Sequence, residues 1–411
     1  MRCRVVGFIL VQAVLGSAFL YGQEPTTRGE EIDQARREKI ARLWPERESP
    51  MVDMVNGFVE RGLTDDSGGA GANGFQFVLG GMRSGQGASF GVGYRRNDIW
   101  NDRLAYRFTA RGTFLTAWML DAELDFPQLR SERGHITFYS KFESSPQMDY
   151  YGEGINSNRD DRTSYSFDTL SLDGNAAYEL FSNFQIGITG GILDVATGTG
   201  RNKPSTEEVF NLPGLGENTY YLNWGAFVLY DYRDHPGGPK SGGFYAARFR
   251  KYSDRGLDKF SFSQPEFEFQ QYVPYFNKTR VVAIRLRARL SYADEERHVV
   301  PFYGQPRLGG NDDLRAFARY RYYDNNYLIA NVEHRWYAFT GMDVALFADA
   351  GTVAPTRHDV DFSEMRYGGG IGLRFRLQNS VIMRIDFAYG NEGARFMWTF
   401  SDIFKVRPFG R

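Results

Sequence analysis

From Asn73 to Phe404 the chain repeats one pattern, a strand-length segment in which apolar and polar side chains alternate residue by residue. Successive side chains of a strand point to opposite faces, so each such segment has one apolar and one polar face. Within 281–292, Val282, Ile284, Leu286, Leu290 and Tyr292 alternate with Arg285, Arg287, Arg289 and Ser291. Val381, Met383, Ile385, Phe387 and Tyr389 alternate with Arg384 and Asp386, and Phe396, Trp398 and Phe400 with Arg395, Thr399 and Ser401. Sixteen segments are legible: 73–83, 86–96, 103–115, 117–126, 133–145, 162–180, 183–194, 219–232, 242–255, 259–273, 278–293, 326–338, 341–352, 364–377, 380–389 and 393–404.

A water-soluble sandwich alternates in the same way, so alternation alone does not fix the solvent on the apolar side. Three features do. The segments are longer than ordinary soluble strands and suit a tilted membrane span. Aromatic residues gather near segment ends, as in Trp224/Tyr230, Trp336/Tyr337 and Trp398/Phe404, in the manner of interfacial girdles. The four longest connections, 146–161, 195–218, 294–325 and 353–363, all follow odd-numbered segments, whereas Ser182 or Gln378-Asn379 suffices after even ones. Long outer loops with short inner turns characterise bacterial barrels. The expectation is all-β: a transmembrane antiparallel β-barrel of about sixteen strands over 73–404, monomeric and bathed in outer-membrane lipid. A mean hydropathy of -0.46 argues against a helical membrane protein and agrees with a barrel, in which only every second residue is apolar.

Residues 1–22 read as a signal peptide, with a basic start (Arg2, Arg4) and an apolar run from Val5 to Leu20; a permanent anchor is the alternative. Residues 23–72 form a periplasmic lead-in with a short charged helix over Glu30–Trp44, its weak apolar stripe being Ile32, Ile40 and Leu43, and a flexible linker from Asp65 to Gly71. The helix is either a solvated lead-in or a segment docking in or under the lumen. Residues 405–411 form a short tail. The single cysteine, Cys3, lies in the leader, so neither a disulfide framework nor a thiolate metal site is expected.

A net charge of -1 gives no support for nucleic-acid binding. The five histidines lack metal-ligand spacing, and no Gly-x-Ser-x-Gly pattern occurs. Neither an enzyme, nor a metal, nor a cofactor is expected.

The long connection after the eleventh segment carries Val300-Pro301-Phe302-Tyr303, Leu308-Gly309-Gly310 and Leu314-Arg315-Ala316-Phe317. Beyond it come Glu333-His334-Arg335 and Phe347-Ala348-Asp349-Ala350-Gly351. Earlier stand Asp231-Tyr232-Arg233-Asp234 with Gly242, and Tyr151-Gly152-Glu153-Gly154. In order and spacing these resemble the BamA/TamA superfamily, the bacterial surface antigen barrels. That family's Leu/Val-Arg-Gly-Phe/Tyr loop motif has Gly where Ala316 stands here. The resemblance implies that the loop folds back into the lumen, and that Phe396, Trp398, Phe400 and Phe404 form the aromatic closing strand that serves as an assembly signal.

Alternation alone turns Asp349, Phe347 and Glu333 towards the lumen, since an Asp facing lipid is very costly. A re-entrant Arg315 would meet Asp349 through bidentate bonds, with Glu333 as a second candidate partner. Residue types leave the alternative, a solvated outer-loop charge, equally open; the resemblance favours the pinned loop. Arg366, Arg374, Arg376, Arg384 and Asp386 read as the wall of a wet lumen, and Gly368, Gly369 and Gly370 thin that wall. Gly74, Gly80 and Gly81 would weaken the first strand.

By resemblance, the barrel is expected to assist insertion or translocation of proteins at the outer membrane. A passive porin or structural surface barrel is the alternative. Some fifty residues before the barrel are too few for a family POTRA module, so a POTRA-less member is expected, whose client proteins would be captured by a separate periplasmic partner.

Overall fold

The computed structural model describes residues 28–43, 63–64, 73–129, 133–202, 204–377 and 379–406. The leader, the 65–71 linker and the end of the tail lie outside them. The chain divides into two units, Met1–Arg47 and Glu48–Arg411. The first contains a helix over Arg28–Leu43, starting two residues before the expected one and carrying an exposed Ile32. No described helix is long and apolar enough to cross a membrane.

The second unit is a barrel of sixteen antiparallel strands, one for each segment read from alternation. They are β1 (Gly74–Gly81), β2 (Ala88–Ile99), β3 (Leu104–Thr113), β4 (Trp118–Leu129), β5 (Gly134–Tyr150), β6 (Thr163–Phe181), β7 (Phe184–Thr199) and β8 (Asn218–Asp231). There follow β9 (Gly242–Asp254), β10 (Phe262–Tyr275), β11 (Arg280–Leu290), β12 (Asn326–Phe339), β13 (Met342–Ala354), β14 (Arg366–Leu377), β15 (Ser380–Gly390) and β16 (Gly393–Thr399). Each strand pairs with its successor. Outward side chains are large and bare: Ile188 is 65% exposed, Leu346 56% and Phe396 68%, on a surface that water would not tolerate and hydrocarbon does.

The wall is incomplete at one line. β1 pairs with β2 on one side and, in parallel, with the two-residue strand Leu63–Thr64 on the other. β16 pairs with β15, and among the described residues no ladder joins β1 to β16. At eight and seven residues these strands are shorter than the roughly 9–11 that a spanning strand needs.

Two expectations are corrected. The last strand ends at Thr399 rather than 404, and the following residues turn inward, so Phe404 does not sit at the lipid interface: it is 1% exposed inside the barrel. Nor is the lumen wet along the arginine wall, because Arg374, Arg384 and Asp386 are buried beneath the long loop. One even connection, 232–241, is longer than the rest and crosses the inner mouth. There Val381 N donates to Gly237 O (3.0 Å) and Arg376 Nη1 to Gly238 O (3.0 Å).

Candidate functional site: a loop held inside the lumen

The connection between β11 and β12 descends into the barrel. Its outer part, Val300, Phe302 and Tyr303, packs into an aromatic cluster with Met148, Tyr150, Tyr165, Phe167, Tyr221, Phe260, Phe262 and Tyr323. Tyr323 is on the loop itself and Phe260 just ahead of β10; the rest come from β5, β6, β8 and β10, and β5, β6 and β7, at 17, 19 and 16 residues, overrun a bilayer span. The hairpin of Arg307–Leu308 and Tyr322–Tyr323 returns the loop upward. The Tyr151-Gly152-Glu153-Gly154 motif grips it, Gly154 N donating to Tyr323 O (2.8 Å) and Gln305 Nε2 to Glu153 Oε1 (2.8 Å).

The tip, Asn311–Phe317, reaches the wall of β12–β15. Arg315 is 0% exposed. Its Nε and Nη2 donate to Asp349 Oδ2 (2.8 Å) and Oδ1 (2.6 Å), its backbone N reaches Asp349 Oδ2 (3.2 Å), and Nη1 pairs with Glu333. Its guanidinium carbon lies 3.5 Å from the Phe347 ring centroid. Glu333 also receives Arg374 Nη2 (2.6 Å) and Arg335 Nε (2.7 Å). Asp386 accepts from Arg374 Nη1 (2.7 Å) and Arg384 Nη1 (2.8 Å). The alternating strands deliver all these groups to one face, and their mutual pairing makes dry burial tolerable.

Leu314 and Phe317 flank Arg315 in an apolar cluster with Leu308, Ile329, Phe347, Val353 and Met397. The wall makes room with glycine. A Cβ on Gly368 would lie 2.6 Å from the Ala316 methyl, one on Gly390 2.7 Å from it, and one on Gly351 3.1 Å from Leu308 Cδ2. Ala316 therefore fits where the resemblance led one to expect Gly, because the facing strands lack side chains at that height.

Below the tip, Ser401–Phe404 closes the inner third. Phe404 packs on Tyr272, Val281 and Ala283, and Arg335 holds Asp402 through two bonds of 2.9 Å. Two buried arginines, whose facing alternation had given but whose task it had not, tie this segment to the loop. Arg384 donates to Ser401 O (3.0 Å) and Asn311 O (2.5 Å). Arg285 donates to Ile403 O (2.6 Å) and to Asp312 O. Of the expected closing-strand aromatics, Phe396 and Trp398 face outward, Phe400 meets Trp398 edge-on (centroids 5.2 Å apart) and Phe404 lies within. Among the described residues no cluster could hold a metal ion.

A sixteen-strand barrel with lipid-facing aromatics, a loop held in its lumen and an unladdered seam is a membrane-spanning β-barrel. The family model of the Omp85 superfamily domain matches residues 83–404, and the chain belongs to that superfamily. It is a protein of the bacterial outer membrane. Among solved structures, BamA from Haemophilus ducreyi lacking POTRA domains 1-3 is similar at 16% identity and a TM-score of 0.58, over 80% of this chain and 67% of that one. CdiB from Escherichia coli is similar at 14% identity and a TM-score of 0.52, over 78% of this chain and 61% of that one. CdiB from Acinetobacter baumannii follows at 12% and 0.50, over 80% and 59%. At these identities the likeness is one of fold. A search of curated proteins found no match.

Proposed function

We propose that this barrel assists the insertion or translocation of other polypeptides at the outer membrane, with the seam between β1 and β16 as the working element. The observation that carries the reading is the combination of a filled lumen with an unladdered wall. Both strands bordering the seam are short, and β1 carries Gly74, Gly80 and Gly81. Beyond the two-residue pairing of β1 with Leu63–Thr64, neither strand carries a ladder on its seam edge among the described residues, and an edge with unpaired N–H and C=O groups is a template for another strand. On this reading Arg315, with Asp349 and Glu333, keeps the loop in place while the seam works. The clients are unfolded outer-membrane or exported chains, delivered by a separate periplasmic partner.

A passive pore needs an open lumen. Here the aromatic cluster, the arginine network and Ser401–Phe404 occupy it in turn, which weighs against that alternative. Depleting the protein and profiling the outer-membrane proteome tests the proposal: a set of barrels or exported proteins should fall in abundance. An unchanged proteome, together with a large steady single-channel current from the purified protein, would overturn it in favour of the pore.

A further inference from the structure

The seam between β1 and β16 lacks a ladder, yet its two borders are held in place, mainly by groups on the loop. At the outer end β1 runs into the turn 82–87, and the turn Asn391-Glu392 leads into β16. The returning limb of the loop passes over both. On the β1 side, Arg319 Nη1 donates to Met82 O, and Ser84 Oγ donates to Arg319 O (2.8 Å). On the β16 side, Arg321 Nε pairs with Glu392 Oε1 (2.7 Å), and Arg159 Nη1 donates to Glu392 O (3.1 Å). Arg321 is 2% exposed, and its other nitrogens are fixed by Ser157 Oγ (2.9 Å) and Ser157 O (2.7 Å). Met82 and Ser84 are likewise buried.

The residue between the two arginines, Tyr320, has φ +58, a left-handed conformation that a side chain of this size rarely adopts. Its N–H donates to Gly309 O (3.2 Å), and Gly309 and Gly310 are themselves at φ +111 and +108. Strain of this kind persists only where the surroundings over-determine it. Here it lets side chains two positions apart reach opposite borders of the gap.

We propose that Arg319 and Arg321 are positioning residues that clasp the two edges of the seam at its outer end, replacing the missing strand pairing with a loop-borne bridge. The bridge is asymmetric. The β1 side is held through a backbone carbonyl and a hydroxyl, whereas the β16 side is gathered on the single residue Glu392, whose carboxylate takes Arg321 and Tyr322 Oη (3.4 Å) and whose carbonyl takes Arg159. The inference requires the barrel and its seam, not the client reading.

The test is a distance measurement in lipid nanodiscs. Nitroxide labels at Phe77→Cys on β1 and Phe396→Cys on β16, both lipid-facing, in a Cys3→Ser background, report the seam by pulsed electron spin resonance. The parent should give one narrow distance distribution. Arg321→Glu and Glu392→Arg should each broaden it and lengthen the mean, and the double exchange should restore the narrow distribution. A merely structural role would not give that recovery. The milder Glu392→Gln, chosen in case charge reversal blocks folding, should enlarge the separated population by roughly tenfold, the effect of losing one charge-assisted bond. A narrow distribution in Glu392→Gln and Arg321→Gln alike, in a barrel that still shows heat-modifiable migration, overturns the clasp. Client assembly measured on the same variants is a separate readout, so either idea can fail without the other.

Discussion

The guanidinium carbon of Arg315 lies 3.5 Å from the centre of the Phe347 ring while Nε and Nη2 engage both oxygens of Asp349. A lysine could supply the charge but not the two-pronged grip. Arg315→Lys should therefore loosen the loop substantially, and Arg315→Ala or Asp349→Arg should release it, since breaking a buried pair costs about 3–5 kcal/mol. Limited proteolysis of intact cells, cutting within 305–320, reads the release. Charge reversal at Asp349 with unchanged protease resistance would show that the pair does not pin the loop.

Ala316 and Gly368 make a complementary pair. Gly368→Ala places a methyl in the space that the Ala316 side chain fills, at 2.6 Å, and should destabilise the seated loop by about 1–3 kcal/mol. Adding Ala316→Gly to Gly368→Ala should recover most of the loss, whereas Ala316→Gly alone should cost little. Urea unfolding midpoints of the four proteins close the cycle; additive effects would separate the two positions.

Phe404 lies inside the barrel with Arg285 and Arg335 over its ring at 5.5 and 5.0 Å. Phe404→Ala removes a buried aromatic side chain, at a cost of about 3–5 kcal/mol. Because Arg285 and Arg384 tie Ser401–Phe404 to the loop tip, the effect should extend upward. Hydrogen exchange should speed at 310–317 as well as after 399. Exchange confined to the last residues would show that the tip and the tail are independent.

Asp324 sits where the loop rejoins β12. Burial, and then the charges of Glu153 and Asp359, push its carboxyl up to about 6, against the opposing pull of the Asn325 amide. An acid whose folded value is raised binds its proton more tightly when packed than when released. Its penalty is thus absent below about pH 4, grows as pH rises, and is complete above about pH 6. The loop should be more protease-resistant near pH 5 than near pH 7.5. Asp324→Asn should flatten that dependence, and a variant keeping the full slope would exonerate the group.

Period-two alternation carried all sixteen strands and the inward facing of Glu333, Asp349 and Arg384, although it put Val381, which is buried, on the outer row. It could not say what fills the inside. An arginine turned inward reads the same beside water as beside a carboxylate, and that distinction depends on a loop whose path leaves no periodic trace. Phe404 was misread for a related reason. A phenyl ring hidden in lipid and one hidden under Arg335 are equally apolar letters, and the break after Thr399 shows only as Asp402 and Ile403 out of step. Arg319 and Arg321 stood in an irregular stretch and looked like any outer-loop charges; the strained Tyr320 between them has no compositional signature.

The loop belongs to the chain between β11 and β12, yet part of what holds its tip is synthesised later, Asp349 on β13 and Arg384 on β15. A finished cylinder could not be threaded afterwards without tearing those contacts out again. Biogenesis therefore has an order: the loop settles on the first carboxylates to arrive, the later strands wrap over it, and the meeting of first and last strands is the closing event in time.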